Sequence, residues 1–410
     1  MEKSKVALVG CNSYEFSDVR AAVERGINFL GGVERFVSPN EKILLKPNIL
    51  WGTDPEQCVV SHPVVFKAVV QLVKESGAVV SYGDSPGGIQ SPLKALKKTG
   101  HHQVALEEEV ELADFEHGRE ISYPEGVSSK RLTIANGVLE SDGVISLPKL
   151  KTHGLTRMTG AVKNQYGCLP GAVKGDYHAR FPDILEFSRL IVDVCGLVRP
   201  RLYVMDAVFA MEGNGPQSGD PRKMGLLLVS ADPVALDAVA ARLIDLKPEY
   251  ISTSLPGKIS GLGTYLEDEI ELLGDEIDQF IVKDFKVVRK PVEPMPQSRY
   301  LKVVKNMILS KPVIIKDACT RCGRCIQVCP VDPKAVNWGK RGRKAPPVYH
   351  YKECIRCFCC HEMCPSRAIH IRKPILGKLF PFLSFLGLFA SSRFMKKNNL
   401  VKNEKRSSSR

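Results

Sequence analysis

Residues 354–365 read CIRCFCCHEMCP and place five cysteines within eleven positions, with proline after the last of them. An earlier stretch, residues 319–330, reads CTRCGRCIQVCP. Both contain the spacing C-x2-C-x2-C-x3-C-P, and the second copy follows the first at an offset of 35 residues throughout. The repetition indicates a duplicated structural unit, and it leaves Cys359 as a cysteine outside the repeated pattern.

The spacing is typical of iron–sulfur proteins. Three thiolates from one tight loop reach three irons of a cubane cluster, and the cysteine before proline reaches the other cluster. We therefore predict two 4Fe-4S clusters as cofactors. A pair of zinc ribbons is the alternative, but zinc sites typically use two well-separated C-x2-C pairs. The predicted ligands are Cys319, Cys322, Cys325 and Cys364 for one cluster, and Cys329, Cys354, Cys357 and Cys360 for the other.

The distribution of the thirteen cysteines favours a reducing compartment. Nine lie between Cys319 and Cys364, and the other four stand singly, as small buried residues of a cytosolic protein do. The first residues, MEKSKVALVGC, contain no charged-then-apolar signal region ending in a cleavage site. We therefore expect a cytoplasmic protein.

The formal charge of +13 raises the question of nucleic-acid binding, but its distribution argues against that class. The stretch GKRGRK (339–344) and the tail from residue 393 to 410 together carry +10 of it. A nucleic-acid interface spreads basic residues over a folded surface, often with stacking aromatic residues. We expect no nucleic-acid partner. The GKRGRK stretch is either a solvated loop or a docking site for an acidic redox partner.

Residues 1–285 alternate strand-like apolar runs with helical stretches, which predicts an α/β domain with a mostly parallel open sheet. Apolar residues from Val64 to Val73 recur at helical spacing, and residues 232–246 form a second helix that Asp232 is placed to cap. The predicted strands are KVALVG (5–10), KILLKP (42–47), AVVSYG (78–83), GVISLP (143–148), RLYVMD (201–206) and GLLLVS (225–230).

Prolines mark the predicted end of this domain. The stretch KPVEPMPQ (290–297) contains three of them, which is typical of a stiff linker. We assign residues 286–311 to this linker and a short helix. Residues 312–373 form a small α+β iron–sulfur domain, and residues 374–410 form an apolar segment followed by a basic tail.

Polar residues follow the carboxyl ends of five predicted strands, the last of them Asp232. In an open parallel sheet these ends share one edge, and ligands bind in the crevice there, so we expect the side chains to converge. The catalytic candidates are Lys46, Asp84, His153, Lys163 and Asp206. The candidates for binding a substrate or cofactor are Asn48, Lys151, Asn164, Glu212 and Asn214.

The sequence resembles known families in two regions, residues 1–285 and residues 312–373. The first resemblance is to the uncharacterised-function family numbered 362, which is often fused to a ferredoxin domain, and it implies little about mechanism. Residues 312–373 look like a bacterial-type ferredoxin domain with two 4Fe-4S clusters, although the segment between the halves is longer than in the most compact ferredoxins. The stretches that carry the first resemblance are LLKPN (44–48), YGDSPGG (82–88), LPKLKTHGLTRMTGAVKNQYGCLPG (147–171) and SADPVALDAVAARL (230–243).

We expect an iron–sulfur electron-transfer protein that passes electrons to or from a ligand or partner at the α/β domain. One alternative is a reductase, an oxidoreductase whose substrate or unidentified organic cofactor lies in the crevice. There the lysines would hold an anionic group, and His153 or Asp206 would donate a proton. A second alternative is a non-catalytic redox-sensing or assembly subunit. The expected partner is a redox protein or a small-molecule electron acceptor.

Residues 374–390 read PILGKLFPFLSFLGLFA. A spanning helix needs about 20 mainly apolar residues, so this segment is short, and Lys378 and Pro381 weaken it further. Basic residues flank it on both sides, which suits the surface of an anionic membrane. We expect peripheral membrane contact through residues 374–397. Packing of the phenylalanines back onto the protein is the alternative.

Truncation after Lys373 should abolish co-sedimentation of the protein with anionic vesicles. Binding of the full chain should weaken as salt is added, because each basic residue near such a surface contributes about 1 kcal/mol that salt screens. The comparison uses both chains at two ionic strengths. A truncated chain that is insoluble or loses its iron would show instead that the segment belongs to the protein core.

Overall fold

A ten-stranded sheet forms the centre of the larger domain. The computed structural model describes residues 3–88, 90–171, 173–292, 309–372 and 374. The strands of this domain are β1 (Ser4–Gly10), β2 (Lys42–Pro47), β3 (Val79–Tyr82), β4 (Glu111–Leu112), β5 (Gly118–Ser122), β6 (Arg131–Ala135), β7 (Gly143–Leu147), β8 (Lys149–His153), β9 (Arg157–Thr159), β10 (Leu202–Glu212), β11 (Asp220–Ser230) and β12 (Ile270–Gly274).

The sheet is mostly parallel. Its main path has the order β12-β1-β11-β10-β7-β2-β3-β4, with β8 beside β10 and β9 beside β8, while β5 and β6 form a separate antiparallel pair. The neighbours β2, β3, β7 and β10 all run parallel. Their carboxyl ends therefore lie at one edge of the sheet, as the sequence predicts.

Helices cover both faces of this sheet. Along β2, Ile43 and Leu45 belong to the core beneath α1 and α2, whereas Leu44 between them belongs to the core beneath α8. Burial on both faces explains why the strand reads as an unbroken apolar run. The helices of this domain are α1 (Phe16–Asn28), α2 (Pro63–Glu75), α3 (Pro92–Lys98), α4 (His101–Glu107), α5 (Asn136–Leu139), α6 (Ala161–Asn164), α7 (Val173–Arg180), α8 (Ile184–Val198), α9 (Pro233–Leu243) and α10 (Ser254–Ile259).

Each of the six predicted strands and both predicted helices are present, but one strand runs against the expected direction. β11 is antiparallel to both of its neighbours, β1 and β10. Its carboxyl end, with Asp232 after it, consequently lies at the edge opposite the one where the other polar strand ends meet. The prediction that Asp232 converges with them is wrong.

Asp232 caps α9 instead. Its Oδ1 accepts hydrogen bonds from the backbone N–H groups of Val234 at 2.8 Å and Ala235 at 2.9 Å. Its Oδ2 accepts from the Ser4 hydroxyl at 2.6 Å and from the Thr264 N–H at 3.1 Å. The carboxylate therefore satisfies the helix start and also ties β1 and the segment after α10 to it.

The cysteine module, residues 312–370, belongs to the same compact unit as residues 1–295. Its own core contains five of the cysteines of the two motifs, together with Ala335, Val336, Ala368 and Ile369. The domain boundaries remain predictions. The elements of the smaller domain are β13 (Lys311–Ile314), α11 (Arg324–Gln327), β14 (Val336–Asn337), β15 (Val348–Tyr349), α12 (Cys359–Glu362) and β16 (Ile369–Arg372).

A second unit comprises residues 296–311 and 371–410. Residues 293–308 of the predicted linker, and residues 375–410 of the predicted apolar segment and basic tail, lie outside the described residues. Within the part of the chain that is described, the helices are too short or too polar to cross a bilayer.

Asp232→Ala should lower the free energy of unfolding by about 2 kcal/mol, at the upper end of the range for helix caps, because the Ser4 and Thr264 bonds are lost with the cap. Asp232→Asn keeps an oxygen acceptor and should lose less than half of this. Urea denaturation measures both. If Asp232→Ala were as stable as the wild type, the cap assignment would be incorrect.

Candidate active site

A cavity of about 280 Å³ lies at the carboxyl edge of the parallel strands, where the cysteine module covers it. Sites for drug-sized ligands typically enclose about 300–1,000 Å³, so this volume indicates a small ligand. The polar part of the lining consists of Asn48, Asp84, Ser85, Lys151, His153, Thr159, Lys163, Asn164, Tyr166, Lys174, Asp176 and His178 of the α/β domain, with Gln327, Cys329, Lys334, Cys359 and Glu362 of the module.

A larger cavity, about 1110 Å³, lies at the opposite edge of the sheet beside Asp232 and Arg201. Open α/β sheets bind ligands at the carboxyl ends of their strands, which is where the smaller cavity lies. The smaller cavity also gathers most of the predicted residues. We therefore assign the candidate site to it.

The module approaches the sheet closely at the loop formed by residues 83–88. A Cβ atom on Gly87 would lie 2.7 Å from Met363 Sδ, and one on Gly88 would lie 3.2 Å from Val328 Cγ1. Larger residues would push against these side chains, so glycine at both positions lets the loop pack closely on the module and form one wall of the cavity.

Two further contacts hold the module against the α/β domain. The Arg324 guanidinium lies over the Trp51 ring, 4.4 Å from its centre. The Asn214 side-chain oxygen lies 2.7 Å from Nε2 of His361. Asn214, a predicted ligand-binding residue, therefore contacts the module and is absent from the cavity lining.

A buried ion pair supports the floor of the cavity. Lys46 Nζ lies 2.7 Å from Asp84 Oδ1, and both side chains are almost completely buried. Asp84 Oδ2 also accepts the Ile49 N–H at 2.6 Å. Gly167 packs directly on the pair, since a Cβ atom there would lie 2.1 Å from Asp84 Oδ1. Asp84 lines the cavity, whereas Lys46 lies behind it.

Asn164 links this ion pair to Asn48. Its Oδ1 accepts hydrogen bonds from Lys46 Nζ at 3.3 Å and Asn48 Nδ2 at 3.0 Å, and its Nδ2 donates to Ser146 Oγ at 2.9 Å. These bonds fix the orientation of both amides. The remaining polar atom, Asn48 Oδ1, is buried and has no hydrogen-bond partner among the described residues.

Three lysines of the α/β domain converge on the cavity. Burial, followed by repulsion from other lysines, lowers the pKa of Lys151 to about 7. Burial also lowers the pKa of Lys174 to about 7. Lys151 Nζ donates to the Val59 carbonyl, and Lys174 Nζ donates to the Ser85 carbonyl at 2.7 Å. Both amines are therefore anchored at the cavity wall.

Lys163 is the third lysine and is held differently. Its Nζ lies over the Tyr166 ring, 4.8 Å from the ring centre, and donates no hydrogen bond to the residues that the structure describes. Burial lowers the pKa of Lys163, and the neighbouring carboxyl of Glu362 partly offsets this effect. An anion in the cavity would supply the partner that this amine lacks.

His153 presents one ring nitrogen to the cavity. Its Nδ1 accepts hydrogen bonds from the N–H groups of Leu155 at 3.1 Å and Thr156 at 3.3 Å, so the neutral ring carries its proton on Nε2. Burial and the nearby lysines lower the pKa of His153 well below its usual value. Nε2 lies 3.3 Å from Glu362 Oε1, but that oxygen accepts no aligned hydrogen bond among the described residues.

Asp206 and Glu212 do not reach the cavity. Asp206 is fully buried in a separate network, where it lies 2.8 Å from Lys149 Nζ and accepts the Tyr14 hydroxyl at 2.9 Å. Glu212 accepts the Lys286 N–H at 3.0 Å. Because their oxygens are already bonded elsewhere, the expectation that these carboxylates join the site is not met.

The cysteine module brings the four thiols of one predicted set together, and their role as ligands remains a prediction. Cys319, Cys322, Cys325 and Cys364 surround a common space. Burial raises the pKa of the Cys325 thiol to about 12, and the other three thiols of this set add to the effect. Four soft sulfur ligands around one space fit an iron–sulfur cluster.

The second predicted set includes Cys360, which is buried. Burial and the nearby thiol of Cys357 raise its pKa, with a smaller contribution from Cys354. The Tyr349 hydroxyl donates to Cys360 Sγ at 3.2 Å, a contact that would tune a bound cluster. Among the described residues, no three His, Cys, Asp or Glu side chains are placed to hold a single metal ion. The argument that the module can hold iron–sulfur clusters therefore depends on the positions of its thiols.

Comparison with known proteins agrees with this two-part organisation. Residues 43–242 match the family model described as Domain of unknown function (DUF362), and residues 311–365 match one described as 4Fe-4S dicluster domain. A thylakoid-associated protein of Synechocystis sp., sll1697, is 35% identical over 258 residues, which cover 63% of this chain and 79% of that protein. The chain belongs to the DUF362 family.

Two solved structures are similar to this DUF362 chain at low identity. The lactate racemase apoprotein of Thermoanaerobacterium thermosaccharolyticum is 12% identical with a TM-score of 0.36, and the match covers 57% of this chain and 55% of that one. A Thermotoga maritima protein is 10% identical with a TM-score of 0.32, covering 55% and 57% respectively. The chain thus spans little more than half of each.

Six of the ten α/β candidates of this DUF362 chain line the cavity: Asn48, Asp84, Lys151, His153, Lys163 and Asn164. Their roles remain predictions. Sequence reasoning missed Lys174, and it missed the part played by the module. The repeat could have indicated the contribution of the module. Gln327 and Glu362 occupy equivalent positions at the 35-residue offset, and both line the cavity.

Cys359→Ser should retain about eight irons per chain, the content of two cubane clusters, whereas Cys360→Ser should lose about half. The structure gives the reason, because Cys359 lines the cavity and Cys360 lies in the core of the module. Iron and acid-labile sulfide assays on anaerobically purified protein measure both. The opposite pattern would mean that the repeat is read in the wrong frame.

Proposed function

We propose that the chain is an iron–sulfur electron-transfer protein that exchanges electrons with a compact anionic ligand bound in the cavity. The observation that carries the proposal is the composition of the lining. It combines Cys329, a predicted cluster ligand, with Lys151, Lys163 and Lys174 of the α/β domain. Such clusters, when bound, accept and donate single electrons.

The charges of the lining favour an anion. Four lysines line the cavity, Lys151, Lys163, Lys174 and Lys334, and two of them, Lys151 and Lys174, are buried. Of the three acids there, Asp84 is already paired with Lys46, which leaves Asp176 and Glu362. Burying ammonium groups without enough counter-charge is unfavourable, and burial accordingly lowers the pKa of Lys151, Lys163 and Lys174. A carboxylate or phosphate in the cavity would offset that unfavourable free energy.

The unpaired acceptors narrow the ligand class further. Asn48 Oδ1 and Glu362 Oε1 are buried and lack hydrogen-bond partners among the described residues. A buried oxygen without a donor costs about 1–3 kcal/mol, so a ligand that bears an N–H or O–H group would remove this penalty. We therefore propose a small anion with a hydroxyl, amine or amide group close to its charge.

The alternative of a reductase has one specific observation in its favour. His153 holds a proton on Nε2 at the cavity wall, which is the position needed to donate it to a bound ligand. A site closed by the module would also exclude water from the ligand. Whether an organic cofactor occupies the cavity is tested by the visible spectrum, where a chromophore other than the clusters would identify one.

We also propose peripheral membrane contact through residues 374–397. Two observations support this proposal: the apolar segment between basic flanks, and the thylakoid association for which the Synechocystis relative is named. The cytoplasmic setting proposed from the cysteines is compatible with such contact, because a peripheral protein needs no spanning segment.

Lys163→Ala should weaken binding of the anionic ligand about 10- to 100-fold, the loss expected for one charge-assisted hydrogen bond of about 1.5–3 kcal/mol. A panel of hydroxy- and amino-carboxylates and phosphate monoesters is screened for saturable binding to the oxidised protein by calorimetry. Iron content should stay unchanged, since the Lys163 side chain donates no hydrogen bond to the residues that the structure describes.

Lys247→Ala, at an exposed position, is the matched control and should bind as the wild type does. Lys163→Arg keeps the charge and should retain part of the affinity. Equal binding by wild type and Lys163→Ala would place the ligand outside the cavity. Loss of iron from Lys163→Ala would assign this lysine a structural role.

A further inference from the structure

The two ends of the cysteine module differ in their exposure. At one end, Cys329 and Cys359 line the cavity shared with the α/β domain. At the other end, Cys322 is exposed. All thirteen cysteines are described, and the other twelve are buried or half-buried. A cluster bound by Cys319, Cys322, Cys325 and Cys364 would therefore lie at the surface side of the module.

A basic loop lies against this exposed end. Arg321 Nη1 donates to the Lys344 carbonyl at 3.2 Å, which ties the loop to the first cysteine motif. A Cβ atom on Gly323 would lie 3.2 Å from Trp338 Cζ2, so the start of the loop also packs on that motif. Pro347, at the end of the loop, borders the space shared by the four thiols.

The charge of this loop is uncompensated. Lys340, Arg341, Arg343 and Lys344 are all exposed, and none forms an ion pair with an acid within the described ranges. The sequence from residue 333 to 352 contains no aspartate or glutamate. Four positive charges beside an exposed cysteine therefore form a strongly positive patch, called here the basic loop (residues 338–347).

We propose that the basic loop is the docking site of an acidic one-electron carrier protein. Electrostatic attraction of this kind raises association rates by about 10- to 1,000-fold, and redox encounters typically use small, transient interfaces. In the exchange, one electron leaves the reduced carrier and is gained by the chain, and no bond is made or broken. The proposal rests on the iron–sulfur part of the proposed function and is independent of the cavity ligand.

The position of the loop favours a protein over a nucleic acid. The Trp338 ring, the aromatic group of the loop, packs on Gly323 and has the Arg343 guanidinium over it, 5.8 Å from the ring centre. It is therefore not free to stack with bases, which single-stranded nucleic acid binding requires. A partner that needs only complementary charge close to Cys322 fits better.

The test uses an acidic flavodoxin in its fully reduced form, because its oxidation to the semiquinone has a spectrum distinct from that of iron–sulfur clusters. Stopped-flow mixing with the oxidised full-length protein should give a rate constant that falls with ionic strength. The triple variant Lys340→Gln, Arg341→Gln, Lys344→Gln should lower that constant about 10-fold at low salt and flatten its salt dependence.

A matched control removes the same charges at the opposite edge of the sheet: Lys3→Gln, Lys42→Gln, Arg199→Gln, all at exposed positions. It should react as the wild type does. Binding of oxidised flavodoxin, followed by calorimetry, should weaken in the loop variant and not in the control. Dithionite, which needs no docking site, should reduce all three proteins equally.

Equal rates and salt dependences for the loop variant and the wild type would overturn the proposal, as would equal losses in loop variant and control. Loss of binding to anionic vesicles with unchanged flavodoxin kinetics would reassign the loop to a membrane. If the triple variant loses iron, the double variant Lys340→Gln, Arg341→Gln decides the question, since it leaves unchanged the Lys344 side chain, whose own backbone carbonyl accepts from Arg321. None of these outcomes depends on the cavity ligand.

Discussion

The buried ion pair between Lys46 and Asp84 is the interaction on which the candidate site depends. It joins the end of β2 to the loop after β3, and through Asn164 it also fixes α6. Removing one partner of such a pair typically costs about 3–5 kcal/mol, because the other charge stays buried without compensation. The same loop continues into the glycines that contact the cysteine module, so the pair determines where the module can lie.

The lysines that line the cavity make an unfavourable electrostatic contribution to the stability of the fold. Lys151 and Lys174, which are buried, and Lys163, which is half-buried, line the same cavity, and their lowered pKa values reflect the poor solvation of their charges. A fold selected for stability alone would replace them with apolar residues, since well-packed apolar groups commonly stabilise such positions better. Their retention in one cavity is a physical argument that the cavity binds something negative.

Sequence patterns predicted the strands well because burial on both faces makes each a continuous apolar run, as in β2. They could not predict the direction of β11, since pairing is decided by packing between distant segments and leaves no local signal. The same limit explains why Asp206 was wrongly expected to lie in the site. Its position after a strand suggested a site residue, but its environment is set by Lys149 and Tyr14, which are remote in sequence. The contribution of the cysteine module to the cavity could not be foreseen from either domain by itself.

The two copies of the repeat in the cysteine module differ in what they contribute to the cavity. Gln327 and Glu362 are equivalent in the repeat, yet only the second copy places a carboxylate in the cavity. Burial raises the pKa of this carboxyl, and the charges of Lys163 and Lys151 partly reverse that effect. Glu362 faces the α/β domain, so docking of the module desolvates its carboxylate at a cost of several kcal/mol, which the lysines there offset. Glu362 and the α/β lysines therefore depend on each other, and this mutual dependence makes the cavity a property of the two domains together.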